Sequence, residues 1–159
     1  ENTEERFAAI LMSNIIGGPA SNSLLNSLLR EKNGWVYGVE SSYSQYTESG
    51  IMTISLGCER SNLEKCLDAI WKVIRKMQDE EYSSVRLKAA KKQILGQLAI
   101  SSDNGEAQCL SMGKSLMSLG TIFTDKQNRE AIEAVTSEEI RNAALKIFAP
   151  ESTCSLIFL

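Results

Sequence analysis

A chain of 159 residues, 43% hydrophobic and 23% charged, suits one globular domain, residues 1–159, with a substantial buried core. Its net charge of −3 argues against a nucleic-acid partner, which would gather positive charge to displace counterions from phosphates, and no apolar run is long enough to span a bilayer. There is no histidine, so Ser-His-Asp and Cys-His catalysis and every metallopeptidase motif built on histidine are excluded within the chain, which is expected to hold no metal ion.

The first helix is expected from Asn2 to about Ile16, with Asn2 as N-cap, Glu5 reaching back to it, and Phe7, Ile10, Leu11 and Asn14 on one inward face. Gly17-Gly18-Pro19 ends it. A second helix follows from about Ser21 to Glu31 on a stripe of Leu24, Leu25, Leu28 and Leu29. Asn33-Gly34 stops it, because Gly34 can take a positive φ. Two strands come next, Trp35 to Tyr46 and Ile51 to Cys58, joined by the hairpin loop Thr47-Glu48-Ser49-Gly50. The second strand alternates, with Met52, Ile54, Leu56 and Cys58 on an apolar face and Thr53, Ser55 and Gly57 on a small, polar one.

From Ser61 the chain reads as helical. Ser61 and Glu64 form a capping box for a helix with Leu63, Cys66, Leu67, Ile70, Ile74 and Met77 on one stripe. A helix from about Ser84 to Ser101 turns Leu87, Ala90, Ile94 and Leu98 inward, and its Arg86, Lys88, Lys91 and Lys92 read as a solvated face. Asp103 and Glu106 cap a third, through about Leu119, whose Met112, Leu116 and Met117 read as core filler. A short helix then leads to Val135. Thr136 and Glu139 cap the last one, Pro150 stops it, and Thr153 to Leu159 reads as a final strand.

The fold expected from this order is α+β, an antiparallel sheet covered by helices in two layers. Three strands are few for about six helices. Either a partner supplies a strand, or a segment before Glu1 completes the sheet. The four cysteines, Cys58, Cys66, Cys109 and Cys154, lack Cys-x-x-Cys spacing and read as reduced, small apolar residues. That suits the cytoplasm, with the periplasm as the alternative.

The stretch from Gly17-Gly18-Pro19-Ala20-Ser21, through Leu29-Arg30-Glu31-Lys32, to Gly34-Trp35-Val36-Tyr37 resembles a signature of the pitrilysin/insulinase family of zinc metallopeptidases. Thr47-Glu48-Ser49-Gly50 is similar to that family's hairpin turn. Lys91-Lys92-Gln93-Ile94-Leu95-Gly96-Gln97-Leu98, Ser111-Met112-Gly113-Lys114-Ser115-Leu116 and Ile132-Glu133-Ala134-Val135-Thr136 resemble segments of bacterial members. The likeness runs in order along essentially the whole chain. It implies a C-terminal, non-zinc domain, truncated before its first strand or strands, with zinc held by His-x-x-Glu-His in an N-terminal half or a companion subunit. It also implies a polypeptide substrate, and a second copy of the chain is a further candidate partner.

The family's C-terminal domain often supplies an Arg and a Tyr seven residues apart that engage substrate, and Arg30 and Tyr37 match that spacing and those flanks. The resemblance implies that Tyr37 donates its O–H to the carbonyl oxygen under attack, while Arg30 binds the substrate backbone. Each also has an ordinary explanation, since cations are favoured in the last turn of a helix and aromatics in strands. Leu24 stands where many relatives carry a basic residue, which bears on substrate detail. The alternatives are a non-catalytic scaffold or processing partner of the same fold, and an unrelated small-molecule binder. The last would have a closed apolar pocket and no open sheet face around Tyr37.

Overall fold

The computed structural model describes residues 3–46 and 49–158, with Thr3, Glu4, Ser118 and Leu119 described by backbone only. Asn2, Thr47, Glu48 and Leu159, on which the first N-cap, part of the hairpin loop and the end of the last strand were expected, lie outside the described residues. The described residues contain two strands, six α-helices and one π-helical segment, an α+β arrangement.

Helix α1 (Thr3–Gly17) forms the centre of the domain. It is built from good helix formers and carries apolar residues around most of its circumference, so it is stable only where several neighbours cover it. Phe7, Leu11, Met12, Ile15 and Ile16 are all buried. The single inward face expected from Phe7, Ile10, Leu11 and Asn14 is too narrow: Ile10 and Asn14 are half-buried, and burial wraps round the helix. It packs against strand β1 (Val36–Gln45), and against α3 (Ser84–Ser102), α5 (Asp125–Ala134) and α6 (Ser137–Ile147).

Strand β1 pairs antiparallel with β2 (Gly50–Cys58), in a register that places Val39 opposite Leu56, Ser41 opposite Ile54 and Tyr43 opposite Met52. The inner face is the apolar one read from the alternation of β2, and Met52, Ile54, Leu56 and Cys58 pack on the core. Glu40, Ser42, Thr53, Ser55 and Gly57 face outward and are exposed. Where α1 ends it comes down on β1. A Cβ at Gly17 would stand 2.7 Å from the backbone nitrogen of Ser41, and the Oγ atoms of Ser13 and Ser41 lie 3.1 Å apart.

Helix α2 (Leu63–Asp79) buries Cys66, Ile70, Ile74 and Met77 of its expected stripe and Ala69 beside them, while Leu63 and Leu67 are half-buried. The Ser61–Glu64 box is not formed; a 3₁₀ turn over Arg60–Asn62 leads into the helix without a side-chain cap. The box at Thr136 and Glu139 is formed, with Thr136 N–H donating to Glu139 Oε2 at 2.6 Å. A second box joins Thr124 and Gln127. Helix α4 (Gly105–Leu119) is capped by Asn104, one residue past the expected Asp103.

Three core assignments are corrected. Met112 and Leu116 are exposed and Met117 is 89% exposed, because α4 packs mainly on α3 and leaves its apolar residues uncovered. Leu98 is exposed for the same reason of thin cover on α3. Cys109 and Cys154 are exposed too, leaving only Cys66 buried and Cys58 half-buried. The expected final strand does not form among the described residues: 153–158 run unpaired, with Leu156 and Phe158 exposed.

Gly17→Ala would push α1 off β1 at the crossing of helix and sheet. Denaturant unfolding of this variant is expected to show a loss of about 1–3 kcal/mol. Unchanged stability would mean that α1 does not cross β1 so closely.

Candidate functional site

Arg30 and Tyr37 stand at either end of one backbone stop. The helix expected over 21–31 forms only from position 24: 21–23 are turn and bend, and the segment is π-helical over Asn26–Lys32. The change of pitch begins at Asn26, whose buried amide donates to the carbonyl of Gly18 at 3.2 Å and to Ser23 Oγ at 2.9 Å. Such widened turns are rare and recur at functional sites.

The end of this segment is closed by side-chain and backbone bonds. Asn33 Nδ2 donates to the carbonyl of Leu28 at 2.7 Å. Trp35 N–H donates to Leu29 and Gly34 N–H to Arg30, at 2.9 and 3.0 Å. Gly34, at φ +60°, makes the left-handed step that lets both bonds form. This is a widened form of the paired-bond stop that ends many α-helices at glycine. Arg30 and Lys32 are left in the last turn, beside carbonyls whose partial negative charge favours cations.

Strand β1 begins at once with an irregularity. Val36 pairs with Cys58 and Gly38 with Gly57, so Tyr37 is the extra residue of a β-bulge. A bulge adds twist and re-aims the side chain it carries. Tyr37 is 73% exposed, and a Cβ on Gly57 would come 3.9 Å from its Cδ2, so its ring lies near the bare backbone of Gly57. Gly38 and Gly57 face each other across the strands, leaving the outer sheet surface open around the phenol. The π-segment and the bulge escape sequence periodicity. The signal available was Gly38 and Gly57 inside strand patterns, since glycine there marks a bulge or a close approach.

Arg30 and Tyr37 flank the stop along the chain, and both are exposed. Behind the bulge, on the inner face, the Cys66 thiol of α2 has Cys58 as its neighbour. Burial, then the neighbouring Cys58, pushes Cys66 up to about 11. Among the described residues no three His, Cys, Asp or Glu side chains gather as metal ligands, and with no histidine the residues present do not fit a catalytic zinc.

The model of the peptidase M16 inactive domain matches residues 1–94. The "uncharacterized zinc protease YmxG" of Bacillus subtilis is 27% identical over 154 residues, covering 97% of this chain and 37% of that protein. An "uncharacterized zinc protease" of Rickettsia felis is 28% identical over 156 residues, covering 98% and 37%. The chain therefore spans little more than a third of these relatives. Among solved structures, a peptidase M16 inactive domain from Pseudomonas fluorescens superposes with a TM-score of 0.70 at 25% identity, over 89% of this chain and 34% of that one.

Cys66 supplies a pH prediction. Its folded value lies above the ordinary 9.0, so the unfolded chain releases the proton first and stability falls as pH rises from about 9 to about 11. The wild-type chain is expected to lose stability more steeply across that window than Cys66→Ala, by denaturant melts at each pH. Equal slopes would place the thiol in an ordinary environment.

Proposed function

The chain belongs to the peptidase M16 inactive-domain family, and we propose that it is the substrate-binding half of a zinc endopeptidase, orienting a polypeptide opposite a zinc site carried on an N-terminal half or a companion subunit. The relatives named as zinc proteases support the activity of the whole. The observation that carries the role of this half is Tyr37, held outward by a bulge on an open sheet face. A small-molecule binder of the kind weighed above would close that face.

In peptide hydrolysis, negative charge grows on the carbonyl oxygen as water adds to its carbon. Tyr37 O–H donates to that oxygen, and the rigid ring fixes the donor's direction. Arg30 donates from its guanidinium fork to substrate backbone carbonyls beside the scissile bond. The stop between the two residues is fixed by the bonds to Leu28, Leu29 and Arg30, so neither anchor depends on a mobile loop. A second copy of the chain is a further candidate partner in such an assembly. We place the assembly in the cytoplasm, with the periplasm as the alternative; no helix among the described residues is long and apolar enough to cross a membrane.

In the complete assembly, Tyr37→Phe is expected to lower kcat on a fluorogenic polypeptide by roughly 10²-fold with little change in KM. Arg30→Gln should act chiefly on KM. Turnover unchanged by the loss of the Tyr37 hydroxyl would remove it from the chemistry and favour a scaffold or processing partner of the same fold.

A further inference from the structure

A cleft of about 400 Å³ opens between the end of α1, residues 22–32 and α3, and neither Arg30 nor Tyr37 lines it. Two cations do, Lys32 at the end of the π-segment and Arg86 in the first turn of α3. No Asp or Glu lines the cleft, and neither cation makes an ion pair among the described residues. In a chain of net charge −3 this is a local excess of positive charge. Like charges brought to one cleft repel, and an anion held by both removes that cost and gains charge-assisted hydrogen bonds.

The rest of the lining limits what carries the anion. Ile15, Leu24, Leu28 and Ala90 supply apolar surface, which a bare inorganic anion would leave unused. Asn14 and Gln93 supply amides that match a peptide's own donors and acceptors. Asn14 is held in place by donating its Nδ2 to Gln97 Oε1 at 2.9 Å. Tyr82 adds a phenol O–H, a donor at neutral pH. The volume suits a segment of a few residues.

We propose that this cleft is a second binding site, taking a short peptide segment by its carboxylate between Lys32 and Arg86, with the flanking apolar side chain on Ile15, Leu24 and Leu28. The choice of a peptide as carrier rests on the reading of the chain as a polypeptide-handling domain; the charge argument does not. The carboxylate is a chain terminus or an Asp or Glu side chain.

The test is an NMR titration of the full chain at low and moderate salt with three probes. They are N-acetyl-Ala-Ala-Leu with a free carboxylate, its C-terminal amide, and N-acetyl-Ala-Glu-Leu-amide. At least one acid is expected to bind in roughly the millimolar range, weaken with salt, and bind about tenfold more tightly than the neutral amide. The tighter acid identifies the source of the carboxylate. The double variant Lys32→Gln, Arg86→Gln should lose about tenfold. Lys88→Gln, an exposed cation of α3 outside the cleft, should keep the wild-type affinity, which separates a built site from net charge. Equal binding of acids and amide, no loss in the double variant, an equal loss in Lys88→Gln, or no binding of either acid would each overturn the site. Tyr37→Phe should leave these titrations unchanged, so failure here and failure of the proposed catalytic role are read independently.

Discussion

Almost everything in this domain depends on the burial of α1. A helix that is apolar around most of its circumference must be enclosed, and here the sheet covers one side and α3, α5 and α6 the others. The sheet has only two strands among the described residues, too few to be stable alone. It is stabilised by β1 lying against α1, and by Val39, Met52, Ile54 and Leu56 of its inner face packing into the core. The crossing is close enough that only glycine fits at position 17. With the inner face committed in this way, the outer one is left to small polar residues and is open.

That division explains how two backbone irregularities can persist side by side. A π-helical turn and a β-bulge each give up regular hydrogen bonding, so each survives only where the displaced groups find other partners. The carbonyls of Leu28, Leu29 and Arg30 find theirs in Asn33, Trp35 and Gly34. The bulge needs room on the outer face, and the Gly38–Gly57 pair leaves it. Val36, just before the bulge, is buried and pairs with Cys58, so the inner side of the same strand stays anchored. The two exposed side chains thus sit on a rigid stop.

What the sequence made legible was whatever a short window settles. The alternation of β2, the stripe of α2 and the box at Thr136 are local patterns with one physical solution each. The misses share a cause in tertiary context. Met112, Leu116 and Met117 have helical spacing, but periodicity cannot say whether a neighbour covers the stripe, and α4 has little beyond α3. The segment over 153–158 has strand composition without a strand to pair with among the described residues. Ser61 offered a cap that a 3₁₀ turn made unnecessary. Arg30 and Tyr37 were reached through their flanks rather than through geometry. The bulge and the widened turn that present them depend on bonds between residues that no periodic pattern links.

Two surfaces share the short helical segment that ends at Lys32. Arg30 and Lys32 are two positions apart, roughly half a turn, and so project to different sides of the helix. Lys32 lines the cleft against α3, whereas Arg30 does not and sits at the stop that leads to Tyr37. Both positions are last-turn sites where any helix tolerates a cation, so their charge alone says nothing about function. What distinguishes them is what each one faces. Arg30 precedes the stop that leads to a phenol on an open sheet, and Lys32 lines a cleft with a second cation, Arg86, and no Asp or Glu. Half a turn apart on one short segment, the two cations belong to different surfaces.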